Sequence, residues 1–367
     1  MKHRPSRVPL TIDPSRDGNA PSLFFAVFPM SDCKAMILGL KGHALNDEEA
    51  AFFRGEAPWG FILFARNLSE PAQISDLVDS LRDTVGGRNA PVLIDQEGGR
   101  VQRLRPPLAP NYPAAAVLGA LYGADREIGK RAAWLMSRLH AFDLMRYGIN
   151  VDCLPVLDVP VAGSHNVIGD RAYGTEPAIV SIMGLEAAAG LKAGGVLPVI
   201  KHIPGHGRGM ADSHHDLPVV TASRAELEAH DFIPFQAARH ELMAMSAHIV
   251  FTALDADNPA TTSRYVIEEI IRGHIGFDGL LMSDDISMNA LKGTIAERAR
   301  AIVAGGCDMV LHCHGHMDEM QDVAAAVPVL AGKSLKRARA VEAALGFRDD
   351  AVEAAIRAEF EALLATA

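Results

Sequence analysis

Cysteine is scarce in this chain: Cys33, Cys153, Cys307 and Cys313 are the four among 367 residues. None has C-x-x-C spacing, and two fall inside apolar runs. That excludes a disulfide framework and predicts buried free thiols in a reducing, cytoplasmic compartment. An excess of positive charge is missing too. There are 35 basic and 45 acidic residues, a formal net charge of -10, with no basic cluster beyond the Arg-containing start. Nucleic acid and anionic membrane surfaces are therefore not expected as partners. No apolar run near the start is long: residues 23–30 fall far short of the ~20 needed to cross a bilayer. After Met1-Lys2-His3-Arg4, Asp13, Arg16 and Asp17 interrupt the region where a secretory leader would be apolar. The chain also has no G-x-G-x-x-G after a first strand and no H-E-x-x-H. The first absence weakens an open dinucleotide-binding sheet. The second, with the irregular spacing of His202, His206, His214 and His215, leaves no standard zinc pattern.

What is present is the make-up of an ordinary globular protein, 49% hydrophobic and 22% charged. Residues 1–20 are rich in Pro, Arg, Asp, Ser and Gly. We read residues 1–30 as a flexible tail and 31–367 as one domain. Apolar runs then recur at 36–40, 60–64, 91–94, 151–157, 196–200, 243–251, 280–282 and 309–311. Helix punctuation lies between most of them. Asn46 can cap 47–54, and Pro71 can open a helix that stops at Gly86-Gly87. Segments 125–147, 176–193, 264–272 and 294–304 each run into glycine. Strands alternating with helices imply right-handed β-α-β units, and eight of them predict a closed (β/α)8 TIM-type barrel. The stretch beyond His316 reads as extra C-terminal helices packed outside it.

The most informative stretch is Lys201-His202-Ile203-Pro204-Gly205-His206-Gly207-Arg208-Gly209-Met210-Ala211-Asp212-Ser213-His214. It follows the fifth apolar run and reads as a glycine-rich loop carrying titratable side chains. Asp212 and His214, two apart, can hydrogen-bond and so orient the imidazole. Asp95, Glu97, Arg100 and Arg103 follow the third run, and Asp158 the fourth. His248 lies within the sixth, Asp284 and Asp285 follow the seventh, and His312 the eighth. Barrel enzymes keep their chemistry at these carboxyl ends. Asp158 reads as a rim hydrogen-bonder and Asp285 as a helix cap. Asp95 reads as a ligand group, and Glu97 as a structural partner of Arg100 or Arg103.

These residues carry a resemblance to glycoside hydrolase family 3, within it to the bacterial single-domain β-N-acetylglucosaminidases (β-hexosaminidases) of peptidoglycan recycling. It rests on Gly60–Asn67, Ile94–Arg103, Ile168–Gly174, Lys201–His214 and Ser283–Met288, and extends from about Ala35 to Cys313. Ile203 departs from the usual aromatic residue, a change expected to alter packing only. The resemblance implies Asp284 as nucleophile and His214 as general acid/base with Asp212 as its partner. It implies Asp95, Arg103, Arg171, Lys201 and His202 as groups holding N-acetylglucosamine. The substrate would be that sugar linked to anhydro-N-acetylmuramic acid or its peptides, cleaved by a monomer without cofactor or metal. A β-N-acetylglucosaminide phosphorylase, a metal-dependent barrel hydrolase and a non-catalytic sugar-binding barrel remain open on the residues alone. If the tail reading holds, a chain beginning at Met30 keeps the activity and melting temperature of the full chain. A marked fall in either, by enzyme assay or calorimetry, would show that the tail packs on the barrel.

Overall fold

A computed structural model describes residues 32–210 and 217–366. The tail assigned to 1–30, and both Asp212 and His214, lie outside the described residues.

Eight parallel strands close into a barrel. They are β1 (Lys34–Leu38), β2 (Pro58–Leu63), β3 (Val92–Ile94), β4 (Val151–Asp152), β5 (Leu197–Ile203), β6 (Met243–Ser246), β7 (Leu280–Asp285) and β8 (Met309–His312). Each pairs with its neighbours in the chain. β8 closes on β1, with Met36 opposite Val310 and Ile37 opposite Leu311. Every residue of β2, β5 and β7 is buried. That is the pattern of a parallel sheet covered by helices outside and filled by side chains within.

The predicted barrel is thus observed, with local differences. β4 stops at Asp152, where 151–157 was expected to be extended. Pro155 offers no N–H to a ladder, and the chain there meets β5 in one isolated bridge, Lys201 N–H donating to Pro155 O at 3.1 Å and Leu157 N–H to Lys201 O at 2.7 Å. β6 ends at Ser246, so His248 lies on the turn after the strand rather than within it. Val250–Phe251 pairs instead with Val219–Val220 in a separate ribbon. β5, β7 and β8 run longer than expected, so Lys201, His202, Asp284, Asp285 and His312 sit in the strand ends themselves.

The helices cover the barrel. α1 (Asp47–Glu56) begins in a capping box between Asn46 and Glu49. α2 (Pro71–Thr84) has proline in its first turn. α3 (Ala115–Ala124) was not foreseen from the sequence, because its mostly small, uniformly apolar residues show no periodic face. α4 (Arg126–Met145) starts where Asp125 accepts from the N–H groups of Glu127 and Ile128. α5 (Pro177–Ala193) precedes β5, and two short helices, α6 (Arg224–Ala229) and α7 (Ile233–Ala237), follow it. A wide-turn helix, Val266–His274, leads to β7, with the Ser263 hydroxyl at its start accepting from Val266 N–H at 3.2 Å. α8 (Ile295–Gly305) has a capping box from Thr294 to Glu297.

Beyond β8 come α9 (Met317–Ala326), α10 (Gly332–Ala344) and α11 (Glu353–Leu364), the extra C-terminal helices. Ion pairs fasten this segment to the barrel layer: Arg88 to Glu342, Arg131 to Glu359, and Arg138 to Asp349. All four cysteines are buried and free. No helix among the described residues is long and apolar enough to cross a membrane.

Candidate active site

The carboxyl ends of the strands surround a cavity of about 280 Å³, at the small end for ligand sites. Its lining includes Phe64 after β2, Asp95 and Glu97 after β3, and Lys201 and His202 of β5. Asp284 and Asp285 of β7, and Cys313 after β8, complete the ring.

Two irregularities in the barrel ladder fall at these residues. Between β5 and β6, Lys201 lies opposite Met245 but Ile203 opposite Ser246. One extra residue, His202, is inserted. Between β7 and β8, Met282 lies opposite Met309 but Asp285 opposite Leu311, so β7 carries an extra residue at Ser283–Asp284. A bulge re-aims side chains at a strand end. The backbone partner lost at the second one is replaced locally: Leu311 N–H donates to the Ser283 hydroxyl at 3.0 Å.

At the centre is a buried ion cluster. Lys201, 2% exposed, donates to Asp95 Oδ1 at 2.9 Å and lies 2.6 Å from Glu97 Oε1. Arg171 donates through Nε and Nη2 to both Glu97 oxygens, 2.8 Å each. Arg103 donates to Asp95 Oδ2 at 2.9 Å and stacks near the Phe64 ring. Burial would push both carboxyls up. The cations more than offset it: Lys201 and Arg103 hold Asp95 far below the usual carboxylate range, and Arg171 and Lys201 hold Glu97 at about 2. Burial disfavours the Lys201 charge, but Asp95 and Glu97 outweigh it and raise its pKa.

Next to this cluster Asp158 organises two imidazoles. Its Oδ1 accepts the backbone N–H of His202 at 3.1 Å and of His206 at 2.6 Å, and its Oδ2 lies 2.6 Å from His202 Nδ1. His206 is fully desolvated and close to His202, which lowers it to about 4. The loop leaving β5 is seated tightly. A side chain at Gly207 would meet the Val159 carbonyl at 2.0 Å, and Arg208 pairs with Asp231 at 2.6 Å.

The two adjacent aspartates of β7 differ in employment. Asp285 accepts from Ser287 N–H at 3.1 Å, Ser287 Oγ at 2.6 Å and Cys313 N–H at 3.2 Å. It pins loops rather than capping a helix, since α8 begins ten residues later with Thr294 as its cap. Asp284 accepts from Asp285 N–H at 2.8 Å, and among the described residues nothing else donates to it. Burial raises its pKa, but His202, His248 and Lys201 outweigh that and the net shift is downward. A carboxylate on a rigid strand end, ionised at neutral pH and lightly solvated, is what nucleophilic attack requires.

Of the site residues expected from sequence, Asp95, Arg103, Arg171, Lys201, His202 and Asp284 all line this one cavity. Three readings change. Glu97 pairs with Arg171 and Lys201, not with Arg100, which holds Asp170, nor with Arg103. His312 is buried in the wall and turned outward to Glu319 at 2.7 Å, so it does not reach the cavity. His248 is buried behind Asp285, its Nε2 3.0 Å from the backbone oxygen. Glu97 and His206 line the cavity and were not assigned to it. The stretch 95–103 mixes signs so closely that sequence spacing cannot tell which acid faces which cation.

The model of the glycosyl hydrolase family 3 N-terminal domain matches residues 32–343. The chain belongs to this family. A β-hexosaminidase of Alkalilimnicola ehrlichii is 38% identical over 285 residues, covering 76% of this chain and 80% of that protein. One from Tolumonas auensis is 37% identical over 287 residues, covering 76% and 82%. Among solved structures, NagZ of Neisseria gonorrhoeae in complex with N-trifluoroacetyl-D-glucosamine superposes with a TM-score of 0.78 at 30% identity, covering 91% of this chain and 97% of that one. A family 3 β-N-acetylglucosaminidase from Paenibacillus gives 0.79 at 29% identity, covering 91% and 67%. This family 3 barrel is a glycoside hydrolase.

Replacing Lys201 by Met removes the cation shared by two buried carboxylates and leaves Asp95 with Arg103 and Glu97 with Arg171. Loss of one partner of such a cluster typically costs about 3–5 kcal/mol, and urea denaturation should show a loss of that order. A change below about 1 kcal/mol would mean the carboxylates are stabilised otherwise. The pH dependence has a definite sign. His206 binds protons less readily folded (about 4) than unfolded (about 6.5), so stability falls as pH drops through that interval. Glu97, depressed to about 2, adds a loss as pH falls below its unfolded value of about 4.3. Melting temperature against pH should therefore decline in two stages. Burial also lowers His140, His248 and His312, so His206→Gln should shrink the first stage without removing it. A variant curve that matches wild type throughout that stage would refute the contribution of His206.

Proposed function

We propose that this hydrolase is a retaining exo-β-N-acetylglucosaminidase releasing terminal N-acetylglucosamine from peptidoglycan-derived fragments. What carries the reading is Asp284: a strand-end carboxylate held ionised beside a cavity lined with charged, directional groups. Asp95, Arg103, Arg171, Lys201 and His202 supply contacts for hydroxyl and N-acetyl groups. Their mutual pairing fixes their positions, so an epimer with a misplaced hydroxyl would leave buried polar groups unmatched. The Neisseria relative's structure is a complex with N-trifluoroacetyl-D-glucosamine, a glucosamine derivative of the same kind. Anhydro-muramoyl peptides as the remainder of the substrate agree with a cytoplasmic enzyme, for which the four free thiols speak.

In this mechanism an Asp284 oxygen attacks the anomeric carbon while its bond to the leaving oxygen breaks. His214, oriented by Asp212, gives that oxygen its proton. Water then attacks the glycosyl-enzyme and loses a proton to His214, which releases Asp284 and the sugar with configuration retained. The segment bearing Asp212 and His214 follows a stem anchored at His206–Arg208.

Asp284→Asn should lower cleavage of an aryl β-N-acetylglucosaminide by roughly 10³-fold or more with the fold intact, and a fluorinated glycoside inactivator should label Asp284. Labelling of Asp285, Asp95 or Glu97 would overturn the role. The first sugar seen by proton NMR should be the β anomer. Added phosphate should leave it the product; a sugar phosphate would make the enzyme a phosphorylase. His214→Ala should show a burst with the aryl substrate, then slow turnover that azide accelerates. Near wild-type rates on all substrates would place the proton carrier elsewhere.

A further inference from the structure

At the end of β8 and just beyond it, outside the sugar cavity, three imidazoles crowd one carboxylate. His312 Nε2 is 2.7 Å from Glu319 Oε2, His316 Nδ1 is 3.5 Å from it, and His314 Nδ1 is 3.8 Å from it. The first accounts for a hydrogen bond, since His312 is buried with its ring directed at the acid. The other two are too long for one.

His314 is held through its other nitrogen. Nε2 lies 3.2 Å from Ser287 Oγ, whose hydrogen is committed to Asp285 Oδ2 at 2.6 Å. Ser287 therefore accepts from His314 Nε2–H, and Nδ1 is the nitrogen on the side of Glu319, 3.8 Å from Oε2. The turn that produces it is rigid. Gly315 adopts φ +72, and a side chain there would meet the Leu40 backbone at 2.4 Å.

We propose that His314, His316 and Glu319 bind one divalent transition cation of the zinc type. One ligand atom from each lies within 4.8 Å of the others. Bonds of about 2.0–2.2 Å in tetrahedral geometry place ligand atoms about 3.3–3.5 Å apart. The two nitrogen-to-oxygen separations are therefore already near those of a loaded site. Imidazole and carboxylate suit zinc and its neighbours, and calcium and magnesium prefer all-oxygen sites. His312 on Glu319, and Ser287 on His314, are the outer partners that orient metal ligands. His314 and His316 are exposed, so an ion can enter and water can take the fourth position. None of the three ligands lines the sugar cavity. Sequence analysis expected no metal, and this H-x-H-x-x-E run follows neither common zinc spacing. The site does not depend on which glycoside is cleaved.

The test uses the full chain, stripped with chelator and titrated with zinc sulfate by calorimetry, then with cobalt(II) followed by visible absorption. Wild type should bind one equivalent more than His316→Ala or Glu319→Gln, or bind it more than about 10-fold tighter. Zinc should raise the melting temperature of wild type in a concentration-dependent way and raise that of the two variants less. Both variants alter solvent-accessible side chains, so their aryl-glycosidase activity confirms that they fold. Asp284→Asn should keep the equivalent. The proposal is overturned if zinc does not bind, if the rim variants bind it as wild type does, or if Asp284→Asn alone abolishes binding, which would put the ion in the sugar cavity.

Discussion

A single buried ammonium holds the reactive end of this barrel together. Lys201 has almost no contact with solvent and sits between two carboxylates from the loop after β3. An isolated charge would not remain ionised there, and neither would either acid alone. Each is charged because the other is. That dependence spreads outward: Asp95 fixes Arg103, Glu97 fixes Arg171, and Arg171 brings in the segment after β4. The cluster ties three stretches distant in sequence to one wall, and its Lys201 adds to the effect of His202 and His248 that keeps Asp284 ionised.

The barrel supplies rigidity, and its irregularities supply aim. Regular parallel strands would alternate their side chains between the interior and the helix layer. An extra residue in β5 and another in β7 break that alternation where His202 and Asp284 are needed. The local cost is small because side chains replace the missing backbone partners. Ser283 takes the Leu311 amide, and Asp158 takes the amides of His202 and His206. Asp158, a rim hydrogen-bonder on sequence grounds, thereby becomes the support of the whole imidazole pair.

Both aspartates of β7 follow the same apolar run and have the same chemistry as residue types. Their environments divide the labour. Among the described residues Asp285 has three donors and spends them holding loops, whereas Asp284, beside it in the cavity wall, has one backbone donor. Preorganisation requires this pairing of a working group with a structural neighbour.

Much was legible in the order of residues. Alternating apolar runs and capped helical segments carried the eight-stranded barrel, because side-chain periodicity and caps are local properties of the chain. That the chemical residues follow strand ends is also local, and it placed Asp95, Lys201, His202 and Asp284 together. The uniformly apolar α3 carried no such signal. Nor could spacing say that Glu97 faces Arg171, 74 positions away, that His312 turns outward, or that β6 ends before His248. The convergence of His314, His316 and Glu319 was likewise hidden, since it depends on a turn wedged against β1's outgoing chain. Sequence determined the fold, the family and the inventory of reactive groups. Only the closed barrel decided which charge meets which, because partners buried together must be matched in space and that matching joins residues from separate strands.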